Sequence, residues 1–118
     1  MMIFIQYPAC STCKKAKLWL DGENVPFTDR HIKELPPTYE ELKHWYEASG
    51  LPLKRFFNTS GLAYKTLNLK DRLPTMTQEE QLRLLASDPM LVKRPILVTQ
   101  KGVCPGFREE IWTSLLER

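Results

Sequence analysis

The spacing of apolar residues switches repeatedly between a strand period and a helix period. Ile3, Phe4, Ile5 and Tyr7 are β-branched or aromatic and predict a first strand. Further on, Ala16, Leu18, Trp19 and Leu20 lie among Lys14, Lys15 and Lys17, the mark of an amphipathic helix. Asp21-Gly22-Glu23-Asn24 should close that helix, with Gly22 as its left-handed stop. Val25 to Ile32 alternates apolar and polar residues and predicts a second strand, in which Pro26 marks a strand start or an edge. A helical crossover between the two implies a parallel, right-handed βαβ unit.

From residue 36 the pattern becomes helical. Thr38-Tyr39-Glu40-Glu41 matches a capping box and should open a helix over Tyr39 to Ala48, with Leu42, Trp45 and Tyr46 on one face and Gly50 as its end. Pro52 to Phe57 reads as a short helical piece, Asn58-Thr59-Ser60-Gly61 as a turn, and Ala63 to Leu67 as another short helix. Thr77-Gln78-Glu79-Glu80 repeats the capping box and begins a helix reaching about Ser87, with Leu82, Leu84 and Leu85 as its stripe. Strand character returns at Arg94 to Thr99. Gln100-Lys101-Gly102 reads as a hairpin turn, Val103 to Phe107 as a short arm placed at an edge by Pro105, and Arg108 to Leu116 as a final helix facing inward through Ile111, Trp112, Leu115 and Leu116. The order βαβ, helical insert, ββ hairpin, α predicts an α/β protein: a thioredoxin-like mixed four-stranded sheet with a helical insertion subdomain. The expected organisation is a single domain over 1–118, with a core from 1–35 and 90–118 and an insert over 36–89.

Composition narrows the class. The chain has 118 residues, 42% of them hydrophobic, and no apolar run near the roughly 20 needed to span a membrane. A formal net charge of +3 is too small to imply direct nucleic-acid binding, but suits an anionic substrate or an acidic partner. Three cysteines, two of them close together, do not make a secreted disulfide framework, and Met1 leads straight into a strand instead of a leader peptide. The expected compartment is the cytoplasm.

The chemistry concentrates in Pro8-Ala9-Cys10-Ser11-Thr12-Cys13, a C-x-x-C turn between strand and helix. Cys10 should stand at the mouth of the helix, where free backbone N–H groups and the helix dipole favour a thiolate, with Lys14 and Lys15 adding positive charge. Cys13 follows one turn later, within reach of a disulfide. Cys10 is therefore the expected attacking thiol and Cys13 the resolving one. Two plainer readings stand beside this: half of a zinc site, for which no second pair of ligands is present, and two inert thiols at a helix start. Cys104 reads as a small buried residue on a strand, or else as a distant resolving or sensing thiol. His31 and His44 carry no expected role, and no metal site is expected.

The segments YPACSTCKKAKLWL, FFNTSGLAYKTLNLKDRLP, LLASDPMLVKRPILV and GFREEIW together resemble the arsenate reductase/Spx-like family of thioredoxin-fold proteins, over essentially the whole chain. In the reductase branch, the resemblance implies that Cys10 attacks arsenate and that arginines cradle the oxyanion. Arg94 falls at the K-R-P-I position and Arg108 near the last strand–helix junction. Both offer the planar, permanently charged fork that suits a tetrahedral anion. Ser11 and Thr12 would place backbone donors near the Cys10 sulfur, and Asn58, Thr59 and Ser60 could donate hydrogen bonds to an anion without bringing charge. The reductases carry a further arginine near the segment matching Phe57-Asn58-Thr59-Ser60, where this chain has none, although Arg55 is close. Cys13 matches the Spx-like branch, whose members sense thiol oxidation and bind the α subunit of bacterial RNA polymerase. The resemblance also implies a cis bond before Pro95, opposite the active cysteine, and no cofactor beyond a thiol reductant such as glutaredoxin, glutathione or thioredoxin. The function expected is reduction of an oxyanion or disulfide by Cys10 and Cys13; the alternative is a redox-sensing regulator that binds the polymerase α subunit.

Overall fold

A computed structural model describes residues 1–118. The elements are β1 (Ile3–Gln6), α1 (Ser11–Gly22), β2 (Thr28–His31), α2 (Tyr39–Ser49), α3 (Leu62–Thr66), α4 (Leu69–Arg72), α5 (Gln78–Ser87), β3 (Ile96–Thr99), β4 (Gly102–Pro105) and α6 (Glu109–Leu115). Short 3-10 turns at Leu53–Phe56, Leu73–Thr75 and Pro89–Leu91 link the helices between β2 and β3. The sheet order is β2-β1-β3-β4. β1 pairs parallel with β2, and the β1–β3 and β3–β4 pairs are antiparallel, so the sheet is mixed.

Side chains on successive strand residues point to opposite faces, and this alternation divides the core. Phe4, Leu97 and Cys104 lie side by side across the sheet and face Ala16 and Leu20 of α1 and Trp112 of α6. Ile5 and Ile96, with Val103, face the other way, onto Leu42 and Trp45 of α2 and Leu82 and Leu85 of α5. Both faces of the central strands are covered, which explains why β1 and β3 read as nearly continuous apolar runs.

Both long helices of the insert start where their capping boxes place them: Thr38 Oγ1 accepts from Glu41 N–H at 3.1 Å and Thr77 Oγ1 from Glu80 N–H at 3.1 Å. Gly50 ends α2 in the left-handed conformation, at φ +67°. The end of α1 differs from the sequence reading. Gly22 is its last helical residue, Glu23 stays right-handed, and Asn24 takes the positive φ, +54°. β2 covers only Thr28–His31, because its partner β1 has four residues to offer and the register exhausts them. β3 begins at Ile96, after a cis Arg94–Pro95 bond. The one-turn helix α4 escaped the sequence reading because Asn68, itself left-handed at φ +54°, gives it no side-chain cap. β2 and β4 are the sheet edges, in keeping with Pro26 just before one and Pro105 in the other. No helix is long and apolar enough to cross a membrane.

Arg30 joins the insert to the sheet. Its guanidinium donates to both carboxylate oxygens of Glu41, at 2.7 and 2.9 Å. It also donates to the carbonyls of Leu35 and Pro36, at 2.9 and 3.0 Å, and lies 5.6 Å from the Trp45 ring centroid. Arg30 is 9% exposed and Glu41 35%. The bond from Arg30 holds the Glu41 carboxyl below its ordinary range. Arg30→Met should cost about 2 kcal/mol in urea unfolding, less than a fully buried pair loses, because Glu41 remains in touch with water. The pair's contribution is complete above the unfolded carboxylate range and disappears as pH falls through the lower folded value. Acid unfolding of Glu41→Gln should therefore lose part of the wild-type slope below about pH 4.3; an unchanged slope would assign the acid sensitivity elsewhere.

Candidate active site

The turn between β1 and α1 is held by its own backbone. Cys10 N–H donates to the Tyr7 carbonyl at 2.9 Å, and the Cys10 carbonyl accepts the first helical bond, from Lys14 N–H at 3.1 Å. Cys10 is the N-cap of α1, with extended backbone at φ −85° and ψ 121°. Its Sγ accepts the Cys13 N–H at 3.4 Å, the bond a cap oxygen ordinarily makes. The first turn of α1 contains no acidic residue, so no carboxylate competes for the positive end of the helix. The donor that reaches the sulfur belongs to Cys13, where the sequence reading assigned that part to Ser11 and Thr12.

The two thiols differ in environment. Cys10 is partly exposed and Cys13 is 2% exposed. Burial pushes the Cys13 thiol up to about 12, the side-chain and charge interactions with Cys10 add to the rise, and the Tyr7 backbone and the Arg94 charge oppose it. Cys13 thus keeps its proton while Cys10 meets solvent. All three cysteines are free thiols.

A cleft of about 320 Å³ opens over Cys10. It is lined by Ser11 and Thr12 from α1, by Asn58 from the turn after the first 3-10 segment, and by Arg94. These expected site residues therefore converge with Cys10. Ser60 lines the cleft too, whereas Thr59 does not, and the structure adds neighbours that the sequence does not single out: Tyr7, Ala9, Gly61 and Lys93. The only sequence signal for Lys93 is its place beside Arg94 in K-R-P-I. Gly61 leaves room for the Asn58 side chain: a Cβ there would lie 2.5 Å from Asn58 Nδ2, so Asn58 would have to move.

Arg94 is oriented from behind. Its Nη1 donates to the Met90 and Val92 carbonyls at 3.3 and 3.2 Å, and its guanidinium lies 5.3 Å from the Tyr7 ring centroid. Its Nε is buried without an acceptor. Pro95, next to it, is buried and follows the cis bond.

Arg108 does not line this cleft. Phe107 turns inward onto Trp112 and Trp19, with ring centroids 5.0 and 5.7 Å away, and the next residue is thereby directed to solvent. Arg108 is exposed, in a separate depression with Glu109, Glu110 and Ile111. The expectation that it cradles the anion is corrected on that ground. Cys104 is fully buried, its Sγ facing the Pro105 and Gly106 carbonyls at 3.7 and 3.6 Å, and burial raises its thiol. His31 Nδ1 accepts from the Lys33 and Glu34 amides at 3.1 and 3.3 Å, a turn-stabilising part, and His44 is exposed on α2. No group of three or more His, Cys, Asp or Glu side chains converges to hold a metal.

The ArsC family model matches residues 5–115. The chain belongs to the ArsC family. Among ArsC family relatives, a crystal structure of a related protein from Bacteroides fragilis is 56% identical, covers 98% of this chain and 97% of that one, and superposes with a TM-score of 0.94. The uncharacterised protein YusI of Bacillus subtilis is 52% identical over 109 residues, 92% of each chain. The regulatory protein MgsR of the same organism is 36% identical over 106 residues, 90% of this chain and 82% of MgsR.

The difference between the two thiols has a direct consequence. At pH 7 iodoacetamide should alkylate Cys10 in the folded protein, while Cys13 and Cys104 should react only after denaturation. Peptide mapping by mass spectrometry reads the order. Modification of Cys13 ahead of Cys10 would reverse the assignment of roles.

Proposed function

We propose that this ArsC family protein is a thiol–disulfide oxidoreductase. Cys10 is the nucleophile, Cys13 the resolving thiol, and Arg94 with Lys93 the positive wall that orients the substrate. The observation that carries the reading is the pairing, at one helix start, of a solvent-facing sulfur that accepts a backbone N–H with a buried thiol that retains its proton one turn away.

The reaction proceeds in two displacements. The Cys10 thiolate attacks one sulfur of a substrate disulfide, a Cys10–substrate disulfide forms, and the other half leaves as a thiolate. Cys13 then gives up its proton, which the departing thiolate can take, and its sulfur attacks Cys10. The Cys10–Cys13 bond forms and the second half leaves. Two electrons pass from the dithiol to the substrate, and two thiols of a reductant (thioredoxin, glutaredoxin or glutathione) restore the dithiol. Arg94 and Lys93 support an anionic substrate, because both line the cleft over Cys10 and bring positive charge to it.

Disulfides rank ahead of arsenate in this reading. The cleft presents Arg94 and Lys93 as its cations, and Asn58 and Ser60 line it without charge. A second reading, favoured by the likeness to a regulatory protein, is that the same disulfide switches contact with the α subunit of RNA polymerase.

Turnover coupled to a thioredoxin or glutaredoxin system separates these. A small disulfide should be reduced at least about tenfold faster than arsenate, an expectation of about 1.4 kcal/mol in barrier, and Cys10→Ser should bring both to background. Absence of turnover, together with oxidation-dependent capture of the polymerase α subunit, would overturn the enzyme reading in favour of the regulator.

A further inference from the structure

A second cavity, about 350 Å³, adjoins the Cys10 cleft and is lined by Lys54, Arg55, Phe57, Thr59 and Lys93. Lys93 lines both. The two are separated by one extended segment. Phe57 forms an isolated antiparallel bridge with Val92, fixed by Lys93 N–H to the Phe56 carbonyl at 2.8 Å and Asn58 N–H to the Leu91 carbonyl at 2.7 Å. Side chains alternate along such a segment, so Asn58 lines the cleft while Phe57 and Thr59 line the neighbouring cavity.

The charges in this cavity are unopposed. The ion pairs of the chain engage Arg30, Arg83, Arg118 and the N-terminus, so Lys54, Arg55 and Lys93 have no carboxylate partner. None of their side-chain nitrogens makes a hydrogen bond within the chain either, and no acidic residue lines the cavity. Surface lysines usually stand apart or near carboxylates. Here three cations share one concavity, and a buried phenyl ring and a threonine hydroxyl complete its wall. The positive potential of such a recess concentrates anions and is reinforced by its low-dielectric walls.

We infer that this cavity is a second anion subsite, and that the preferred substrate is a small disulfide bearing a carboxylate on the half that lies beyond the sulfur attacked by Cys10. The inference rests on the disulfide reading above and adds to it where the rest of the substrate lies. The reacting disulfide sits over Cys10, one half reaches past Lys93, and its carboxylate takes up the charge of Lys54 and Arg55. Electron flow is unchanged: the substrate disulfide is reduced to two thiols, and Cys10 and Cys13 are oxidised. The subsite alters only which disulfides are held long enough to react. An uncharged disulfide reacts at the rate set by the thiols alone, and a cationic one is repelled.

The experiment compares three symmetrical disulfides that share a two-methylene spacer: 3,3′-dithiodipropionate, 2-hydroxyethyl disulfide and cystamine. The rate of Cys10–Cys13 bond formation in the reduced protein is followed by quenched mass spectrometry at low salt. The anionic compound should react faster than the neutral one and the cationic compound slowest. In Lys54→Gln/Arg55→Gln the ratio of anionic to neutral rates should fall about five- to tenfold, the loss expected for two solvent-facing charges. Lys54→Gln alone, at an exposed position, should give a partial fall and guards against misfolding of the double variant. A ratio equal in wild type and both variants overturns the subsite, because any selectivity then comes from Arg94 and the helix. Failure of the neutral disulfide to oxidise the pair at all would instead overturn the underlying disulfide chemistry.

Discussion

The hydrogen bond from the Cys13 amide to the Cys10 sulfur joins the fold to its chemistry. Helices ordinarily begin on a hydroxyl or carboxylate oxygen, which satisfies one of the free amides of the first turn. Here a thiol has that position, in a turn pinned by the Cys10 amide on the Tyr7 carbonyl. Sulfur is larger than oxygen and a weaker acceptor, and this cap bond is correspondingly long, 3.4 Å against 3.1 Å at Thr38 and Thr77. Because the helix rises about one turn from Cys10 to Cys13, the second sulfur lies on the same side and further in, beneath its partner. Exposure of one thiol and burial of the other follow from helix geometry on a packed sheet.

The remainder of the cleft depends on elements distant in sequence. Arg94 comes from the segment leading into β3, which pairs with β1 in the middle of the sheet. Asn58 comes from the insert and is held by the bridge between Phe57 and Val92. The insert is in turn fastened to β2 by the Arg30 guanidinium, whose bonds reach Leu35, Pro36 and Glu41 together. A helical layer packed on one face of the sheet thus supplies one wall of a site whose nucleophile belongs to the helix layer on the other face.

Local features were legible in the sequence and long-range ones were not. The strand–turn–helix around C-x-x-C and the two capped helices of the insert depend on residues within one turn of one another, and Thr38 and Thr77 identify their helix starts directly. The membership of Gly61 and Lys93 in the cleft depends on the pairing of residues 57 and 92, for which no local pattern exists. Arg108 illustrates the same limit. Its charge type and place near the last strand–helix junction suited an anion site, but its direction is decided by where Phe107 packs, between Trp19 and Trp112. Gly22 was read as a helix stop from its residue type alone, and the left-handed position went instead to Asn24, two residues on.

Intact-mass analysis after brief exposure to 2-hydroxyethyl disulfide tests the division of labour between the thiols most directly. The account predicts that Cys13→Ser carries one substrate half on Cys10, that Cys10→Ser carries none, and that the wild type carries none and is two hydrogens lighter. A stable adduct on Cys13 in Cys10→Ser, or an adduct retained by the wild type without closure of the pair, would contradict it.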